Sequence, residues 1–229
     1  MQHNEDLDFL KGIGIFFVVL GHCFTTSLIT KYSNLVMLKD IIYTFHMPLF
    51  FIVSGYIQGL RPYNINKLKK FSFHQIRRLL IPYFAWSIIL YTFYFFLNNL
   101  NVISIPEDIS LNPIYLFSDI LTYNVRTGNA LWFVYILFII YIVSYFIHSF
   151  IDKKATNIFF IIIVLCLGFS ANIYLTDEMF VLKRFLVMWI YYEIGTFIGI
   201  NIKDINFKAN KVLSIILLGL YAFVFILYI

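Results

Sequence analysis

Long apolar runs dominate the pattern of residues along the chain. A helix that crosses the hydrocarbon core of a bilayer needs roughly 20 mainly apolar residues. The runs are continuously apolar and do not alternate with polar positions, which disfavours strands. We therefore predict an all-α, polytopic membrane helix bundle in one domain, residues 1–229. Its seven transmembrane helices are expected at about 7–28, 41–60, 79–97, 130–150, 158–175, 180–200 and 212–229.

The composition excludes a soluble or disordered protein. Hydrophobic residues make up 61% of the chain and charged residues 13%, whereas soluble domains average about 45–50% and about 25%. Such a chain cannot cover itself with a polar surface, and disorder requires low hydrophobicity and high charge. The 21% aromatic content suits lipid-facing surfaces and interfacial belts. Cys23 and Cys166 both lie in apolar stretches and indicate no disulfide framework.

The placement of basic residues predicts the orientation in the membrane. Short loops rich in Lys and Arg stay in the cytoplasm. The connection between the second and third predicted helices carries six basic residues: Arg61, Lys67, Lys69, Lys70, Arg77 and Arg78. With that loop inside, alternation puts the N-terminus in the cytoplasm and 12 of the 17 basic residues on the inner side. We expect a multi-pass protein of the plasma or inner membrane, and the charge excess indicates no nucleic-acid partner.

The first predicted helix carries ionisable residues along one face. Lys11 and His22 are eleven positions apart, which amounts to about 20° after whole turns and roughly 16 Å along a helix axis. Asp8 precedes Lys11 by three residues and shares that face. Ionisable groups inside a membrane are functional candidates by default. The alternatives are snorkelling for Asp8 and Lys11 and hydrogen-bonded packing for His22.

Further polar residues lie inside other predicted helices. His46 is at a depth similar to that of His22, so the two imidazoles are candidates for one cavity. Ser54 and Gly55 permit close backbone approach, and ordinary helix packing is the favoured explanation over catalysis. Glu193 either faces a polar cavity or is protonated in the bilayer, and both a structural partner on another helix and a catalytic role stay open for it. The histidines are scattered with no carboxylate or thiolate cluster nearby, so no metal is expected.

The basic segment KKFSFHQIRRLLIPY leaves its binding partner open. Arg77 and Arg78 beside the inner surface suit anionic lipid headgroups. They equally suit the phosphates of a nucleotide-bearing cofactor, which arginine binds in bidentate fashion. Topology signalling alone explains most of these charges. The nucleophile elbow G-x-S-x-G, the zinc motif H-E-x-x-H, the P-loop and C-x-x-C are absent from the sequence.

Four segments, in order and spacing, point to a known family: LDFLKGIGIFFVVLGH, FHMPLFFIVSGY, IRRLLIPY and ALWFVYILFIIY. Together they resemble the acyltransferase 3 family, and within it the branch of fucose 4-O-acetylase-like and polysaccharide O-acetyltransferases. GTFIG in the sixth predicted helix adds a weaker match. The resemblance implies transfer of an acetyl or other small acyl group from acyl-CoA, such as acetyl-CoA. The acceptor would be a sugar hydroxyl of a cell-surface polysaccharide or its lipid-linked precursor.

The resemblance also implies roles for individual residues. His22 stands where the family has a histidine considered catalytic, and Lys11 where it has a basic residue, more often Arg. We therefore expect the catalytic group to comprise His22, Lys11, Asp8 and His46. The family's R-x-x-R pattern, associated with the acyl-CoA donor, aligns only with residues 74–77 or 75–78. We expect the donor site at Arg77, Arg78 and Lys11.

Two further expectations follow. Family members usually have more than seven helices, so the resemblance predicts a chain truncated at its C-terminus. The alternative function is a non-enzymatic small transporter or flippase-like membrane subunit, with a polar pathway through Lys11, His22 and Glu193. Transporters often contain inverted repeats, and the sequence shows no internal repeat, which disfavours this alternative.

Overall fold

The computed structural model describes residues 5–24, 26–32, 34–101, 131–151, 154–176 and 179–201. Within these ranges every regular element is helical. The α-helices are α1 Glu5–Cys23, α2 Thr26–Lys31, α3 Asn34–Gly59, α4 Leu68–Gln75, α5 Ile81–Asn99, α6 Trp132–His148, α7 Lys154–Tyr174 and α8 Phe180–Asn201. The all-helical prediction is thus confirmed for the described part of the chain.

One continuous helical stretch, Ile65–Asn99, contains both α4 and α5. It begins as a 3-10 turn at Ile65–Lys67, and a π-helical turn at Ile76–Leu80 joins the two α-helices. Pro82 follows that turn, and a proline ring clashes with the carbonyl four residues earlier in an α-helix. The Ile81 N–H donates to the carbonyl of Ile76, five residues back, which widens the helix ahead of the proline. The helix therefore continues through Pro82 where the sequence predicted a start near residue 79.

Several helix ends differ from the predicted ones. The first predicted span, 7–28, is interrupted because α1 ends at Cys23 and α2 begins at Thr26. By contrast, α3 begins at Asn34, seven residues before the predicted start at 41. Polar residues at its beginning, such as Lys39 and Asp40, hid this extension from a search for apolar runs. The last predicted span, 212–229, and the connection 102–130 lie outside the described residues.

Two described helical stretches are long and apolar enough to cross a membrane, Asn34–Gly59 and Ile65–Asn99. Three shorter apolar helices accompany them: Lys11–Cys23, Trp132–His148 and Ile158–Tyr174. Helix α8 is not among these stretches, and it carries Lys183, Arg184 and Glu193 within its length. The count of seven spans stays a prediction.

The chain divides into two compact units. The first comprises residues 1–62 together with the chain from 188 onward, and the second comprises residues 63–187. The first unit therefore contains α1, α2, α3 and most of α8. The second contains α4, α5, α6 and α7.

Candidate functional site

Helices α1 and α3 of the first unit pack against each other in antiparallel fashion. The Phe17 and Phe45 rings lie edge to face with centroids 4.8 Å apart. Gly14 faces the Phe50 ring and Gly21 faces Tyr43, so the contacts run in opposite directions along the two helices. This pairing brings the C-terminal end of α1 beside the first half of α3.

Two imidazoles and one phenol ring lie close together at that end, and we call His22, Tyr43 and His46 the histidine cluster. The Tyr43 ring centroid lies 6.4 Å from that of His22 and 5.1 Å from that of His46, edge to face in both cases. His22 is exposed and His46 is buried. The structure therefore places His22 and His46 around one shared residue, as their similar depth in the sequence suggested.

A backbone contact fixes the orientation of the His46 ring. Its Nδ1 lies 2.6 Å from the carbonyl oxygen of Ile42, one helical turn earlier. A carbonyl oxygen only accepts hydrogen bonds, so Nδ1 carries the proton and donates it. In the neutral ring, Nε2 then holds the lone pair and serves as an acceptor. His46 is therefore suited to receive a hydrogen bond from a hydroxyl group.

Tyr43 is the central residue of this histidine cluster, and the sequence analysis missed it. Its ring also lies beneath Lys39, whose Nζ is 5.5 Å from the ring centroid. Lys39, Tyr43 and His46 follow each other at intervals of four and three residues, the spacing of one helical face. That spacing was the available signal.

Asp8 and Lys11 form an ion pair away from the histidine cluster. Lys11 Nζ lies 3.0 Å from Asp8 Oδ1, and the two side chains are 41% and 47% exposed. The uninterrupted helix α1 spans both Lys11 and His22, which separates them by roughly 16 Å along the axis. An ion pair this exposed contributes little to stability. The structure therefore brings Asp8 and Lys11 together, but not to His22.

Four glycines allow α3 and α8 to cross at backbone contact. A methyl group on Gly55 or Gly59 would collide with the carbonyl of Tyr192 or Thr196, respectively. One on Gly195 or Gly199 would collide with the carbonyl of Ile52 or Tyr56. The contacts advance together along both helices, so α3 and α8 run parallel. Gly55 thus serves close helix packing, whereas the partly buried Ser54 beside it keeps its role as a prediction.

Glu193 is buried in α8, within the stretch 192–199 that crosses α3. Only 1% of its surface is exposed, and Trp189 Nε1 donates a hydrogen bond to its Oε1 at 2.9 Å. This indole partner lies on the same helix, where the sequence analysis considered a cavity or a partner on another helix. A buried carboxyl group needs such a donor because an unsatisfied one is costly.

The second unit presents the basic segment on a rigid support. The Phe71 and Tyr145 rings stack with centroids 4.1 Å apart, and those of Tyr83 and Tyr135 stack at 5.3 Å. The segment 65–99 therefore packs antiparallel to α6 through its aromatic face. The basic side chains of this region are exposed: Lys67, Lys69, Lys70, Arg77 and Arg78.

Arg77 and Arg78 both lie in the π-helical turn Ile76–Leu80. The Arg77 guanidinium carbon is 5.3 Å from the centroid of the Phe73 ring, which holds that side chain against the helix. Single π-helical turns occur frequently at functional sites. The sequence analysis identified the two arginines but not the turn. Among the described residues, no group of three or more His, Cys, Asp or Glu side chains is arranged to hold a metal ion.

Comparison with known proteins gives one match. The sequence model of a family described as an acyltransferase domain, acyltransferase 3, matches residues 4–229. No curated protein and no solved structure matches the chain. The matched range includes the histidine cluster, the Asp8–Lys11 pair and the basic segment.

Proposed function

The chain belongs to the acyltransferase 3 family, and we propose that this membrane acyltransferase moves an acetyl or other small acyl group from acyl-CoA to a sugar hydroxyl. The proposed acceptor is a cell-surface polysaccharide or its lipid-linked precursor. The observation that supports this reaction is the histidine cluster, where an exposed imidazole lies next to a buried one with a defined acceptor nitrogen. The assignment to the branch of polysaccharide O-acetyltransferases is likewise a proposal.

His22 is the proposed general base. Imidazole takes up and releases protons near neutral pH, and the exposed ring is accessible to substrate. As His22 removes the proton from the acceptor hydroxyl, the oxygen attacks the thioester carbonyl of acyl-CoA. The tetrahedral intermediate collapses by breaking the carbon–sulfur bond, and the proton passes to the CoA thiolate. A second route, in which His22 itself carries the acyl group, uses the same residue as nucleophile.

His46 is the proposed positioning residue for the acceptor. Its Nδ1–H is directed at the Ile42 carbonyl, so the neutral ring offers only the Nε2 lone pair to a ligand. A lone pair accepts a hydrogen bond from a sugar hydroxyl, but it cannot stabilise an oxyanion. His46 therefore suits orientation of the acceptor, and the oxyanion requires donors from elsewhere.

Arg77 and Arg78 in the second unit are the proposed donor-binding residues, and Lys11 in the first unit is a separate candidate for the same role. CoA carries phosphates and is a cytoplasmic metabolite, so cationic side chains at the inner surface are suited to bind it. The proposed topology places the basic segment on that side, with the N-terminus in the cytoplasm. Lys11 replaces the more frequent arginine of the family, which keeps the charge but loses bidentate binding.

Transfer of radiolabelled acetyl groups tests the proposal. Membranes that contain the chain would receive labelled acetyl-CoA, and both free CoA and label on the surface glycan would be measured against membranes without the chain. We expect CoA release together with alkali-labile label on carbohydrate. If neither appears although the chain is inserted, a transporter or flippase-like subunit becomes the better explanation.

A further inference from the structure

Lys39 holds a positive charge beside the histidine cluster. Its Nζ lies 5.5 Å from the Tyr43 ring centroid, a cation–π contact between positions one helical turn apart. Among the described residues, the ammonium forms no ion pair with a carboxylate, and its neighbour Asp40 diverges by about 100° around the helix. The Lys39 charge is therefore available to a bound anion.

Tyr43 connects this charge to the proposed base. The distances from its ring centroid, 5.5 Å to the Lys39 Nζ and 6.4 Å to the His22 ring, place the ammonium within about 12 Å of that imidazole. The ring is confined because a methyl group on Gly21 would lie 3.1 Å from its Cε2 atom. Yet 41% of the Tyr43 surface remains exposed. Tyr43 and His22 are exposed and Lys39 is half-buried, so each of the three side chains is at least partly accessible to a ligand.

The proposed topology makes Lys39 unusual. It places only five of the 17 Lys and Arg residues on the outer side, because basic residues are retained mainly in cytoplasmic loops. A lysine held over an aromatic ring next to the proposed base is better explained by a ligand than by topology. An ammonium is a compact point charge that suits carboxylate and phosphate groups.

We infer that Lys39 and Tyr43 form an acceptor subsite that binds a negatively charged group of the sugar substrate, either a carboxylate or a phosphate. This inference rests on the proposed function and specifies its acceptor as an anionic carbohydrate. The anion pairs with Lys39, and a hydroxyl one or two sugar rings away reaches His22. Tyr43 holds the ammonium in place and separates it from the imidazole.

Kinetics with matched acceptors test the subsite. The chain in phosphatidylcholine nanodiscs receives acetyl-CoA and either a glucuronate oligosaccharide or its carboxyl-reduced, neutral form. A second pair compares a sugar 1-phosphate with the free sugar, which distinguishes carboxylate from phosphate as the preferred anion. We expect a KM for the preferred anionic acceptor that is about two- to fivefold lower than for its neutral partner, the range for a partly exposed ion pair.

Variants at two lysines separate this role from general charge. Lys39→Gln should abolish the KM difference while kcat stays within about twofold, because the lost interaction is equal in ground and transition states. Lys39→Arg should retain it. The matched control is Lys31→Gln, since Lys31 is 5.4 Å from the Tyr32 ring and makes the same kind of contact outside the histidine cluster. Equal KM values for wild type, or the same loss in Lys31→Gln, would overturn the inference.

Binding without chemistry separates this inference from the proposed function. Titration of the same oligosaccharides into nanodiscs, with no acyl-CoA present, should show tighter binding of the charged form by wild type and no preference by Lys39→Gln. If this preference is observed but no acyl transfer occurs, the subsite is supported and the acyltransferase activity fails. If transfer occurs but binding shows no charge preference, the subsite is refuted and the activity stands.

Discussion

At the residue scale, the proposed chemistry depends on two histidines with different surroundings. His22 is exposed at the end of α1, whereas His46 is buried and held by the Ile42 carbonyl. Removal of a general base typically costs about 10²–10⁴-fold in rate. We therefore expect His22→Ala to lose acyl transfer by that factor while the protein still inserts in the membrane, as measured by acetyl content of the surface glycan at equal membrane abundance.

Cys23 supplies the matched control for His22. It is the next residue, it is also exposed, and helix geometry turns it about 100° away from the imidazole. Cys23→Ala should leave transfer unchanged. Near-normal acetylation in His22→Ala would refute the catalytic assignment and favour the transporter alternative.

Tyr43 gives a second prediction at the residue scale. Its described contacts with His22, His46 and Lys39 all involve the ring. Loss of the ring removes a packing neighbour of both imidazoles, and small misplacements of catalytic groups can cost about 100-fold. We expect Tyr43→Ala to lower kcat by about 10- to 100-fold and Tyr43→Phe to retain more activity than Tyr43→Ala. An equal loss in both variants would contradict a role for the ring alone and implicate the hydroxyl group.

The sequence predicted part of the histidine cluster and missed the rest for a physical reason. His22 and His46 stand out because a titratable side chain in an apolar run is costly. Tyr43 does not stand out, since it is one of 17 tyrosines in a chain with 21% aromatic residues. Its importance comes from the pairing of α1 with α3, which no single-sequence pattern specifies.

At the scale of the helices, glycines at particular positions determine how closely two helices pack. Gly55 and Gly12 offer a direct comparison, because a methyl group on Gly55 meets the Tyr192 carbonyl whereas one on Gly12 has no atom within 4 Å. Overpacking a close contact costs about 1–3 kcal/mol, whereas replacing an unobstructed helical glycine by alanine gains up to about 1 kcal/mol. We expect Gly55→Ala to lower the midpoint of thermal unfolding in detergent and Gly12→Ala to leave it unchanged or raise it. The same effect in both variants would argue against the crossing of α3 and α8.

The basic segment leads to a prediction about the donor. Arg77 and Arg78 are exposed in the π-helical turn. If they bind CoA phosphates, neutralising both with Gln should weaken acyl-CoA binding, with the larger loss at low salt, where screening is weakest. Equilibrium binding of acetyl-CoA at two salt concentrations measures this.

Lys69 and Lys70 are the control for the arginine pair. They are exposed on the adjacent α4 and carry the same total charge, but they lie outside the π-helical turn. Their double neutralisation should change affinity less than that of Arg77 and Arg78. Equal losses would show that the segment acts by its net charge, and unchanged affinity in both would leave the arginines as topology signals.

At the scale of the whole molecule, the sequence predicts the presence of the helices better than their number or their ends. Apolar runs of the required length predicted α6 and α8 at nearly the right places, and α3 only at its C-terminal end. The ends differ because the polar residues at the start of α3 and the basic residues before position 79 interrupt the apolar runs although the helix continues. The count of seven spans and the last of them lie beyond what the described residues test.

The parallel run of α3 and α8 bears on the proposed topology. Helices that cross the membrane in the same direction pack parallel, and the predicted alternation assigns the same direction to these two spans. Their register, from Ile52 beside Gly195 to Tyr56 beside Gly199, agrees with that assignment.

Cysteine labelling measures that orientation. Asn66 is exposed in the connection 61–78, near the start of the helical stretch Ile65–Asn99. Asn99 is exposed at the far end of that stretch, roughly 50 Å away along the axis. The exposed native thiols Cys23 and Cys166 are first replaced by serine, and a single cysteine is then introduced at Asn66 or Asn99. Because its six basic residues predict that the connection 61–78 lies inside, an impermeant maleimide applied to intact cells should label Asn99→Cys and not Asn66→Cys. Permeabilised cells serve as the control in which both sites react. Rapid labelling of Asn66→Cys in intact cells would contradict the predicted orientation. It would also contradict the assignment of the donor site to the cytoplasmic side and of the acceptor subsite to the outer side.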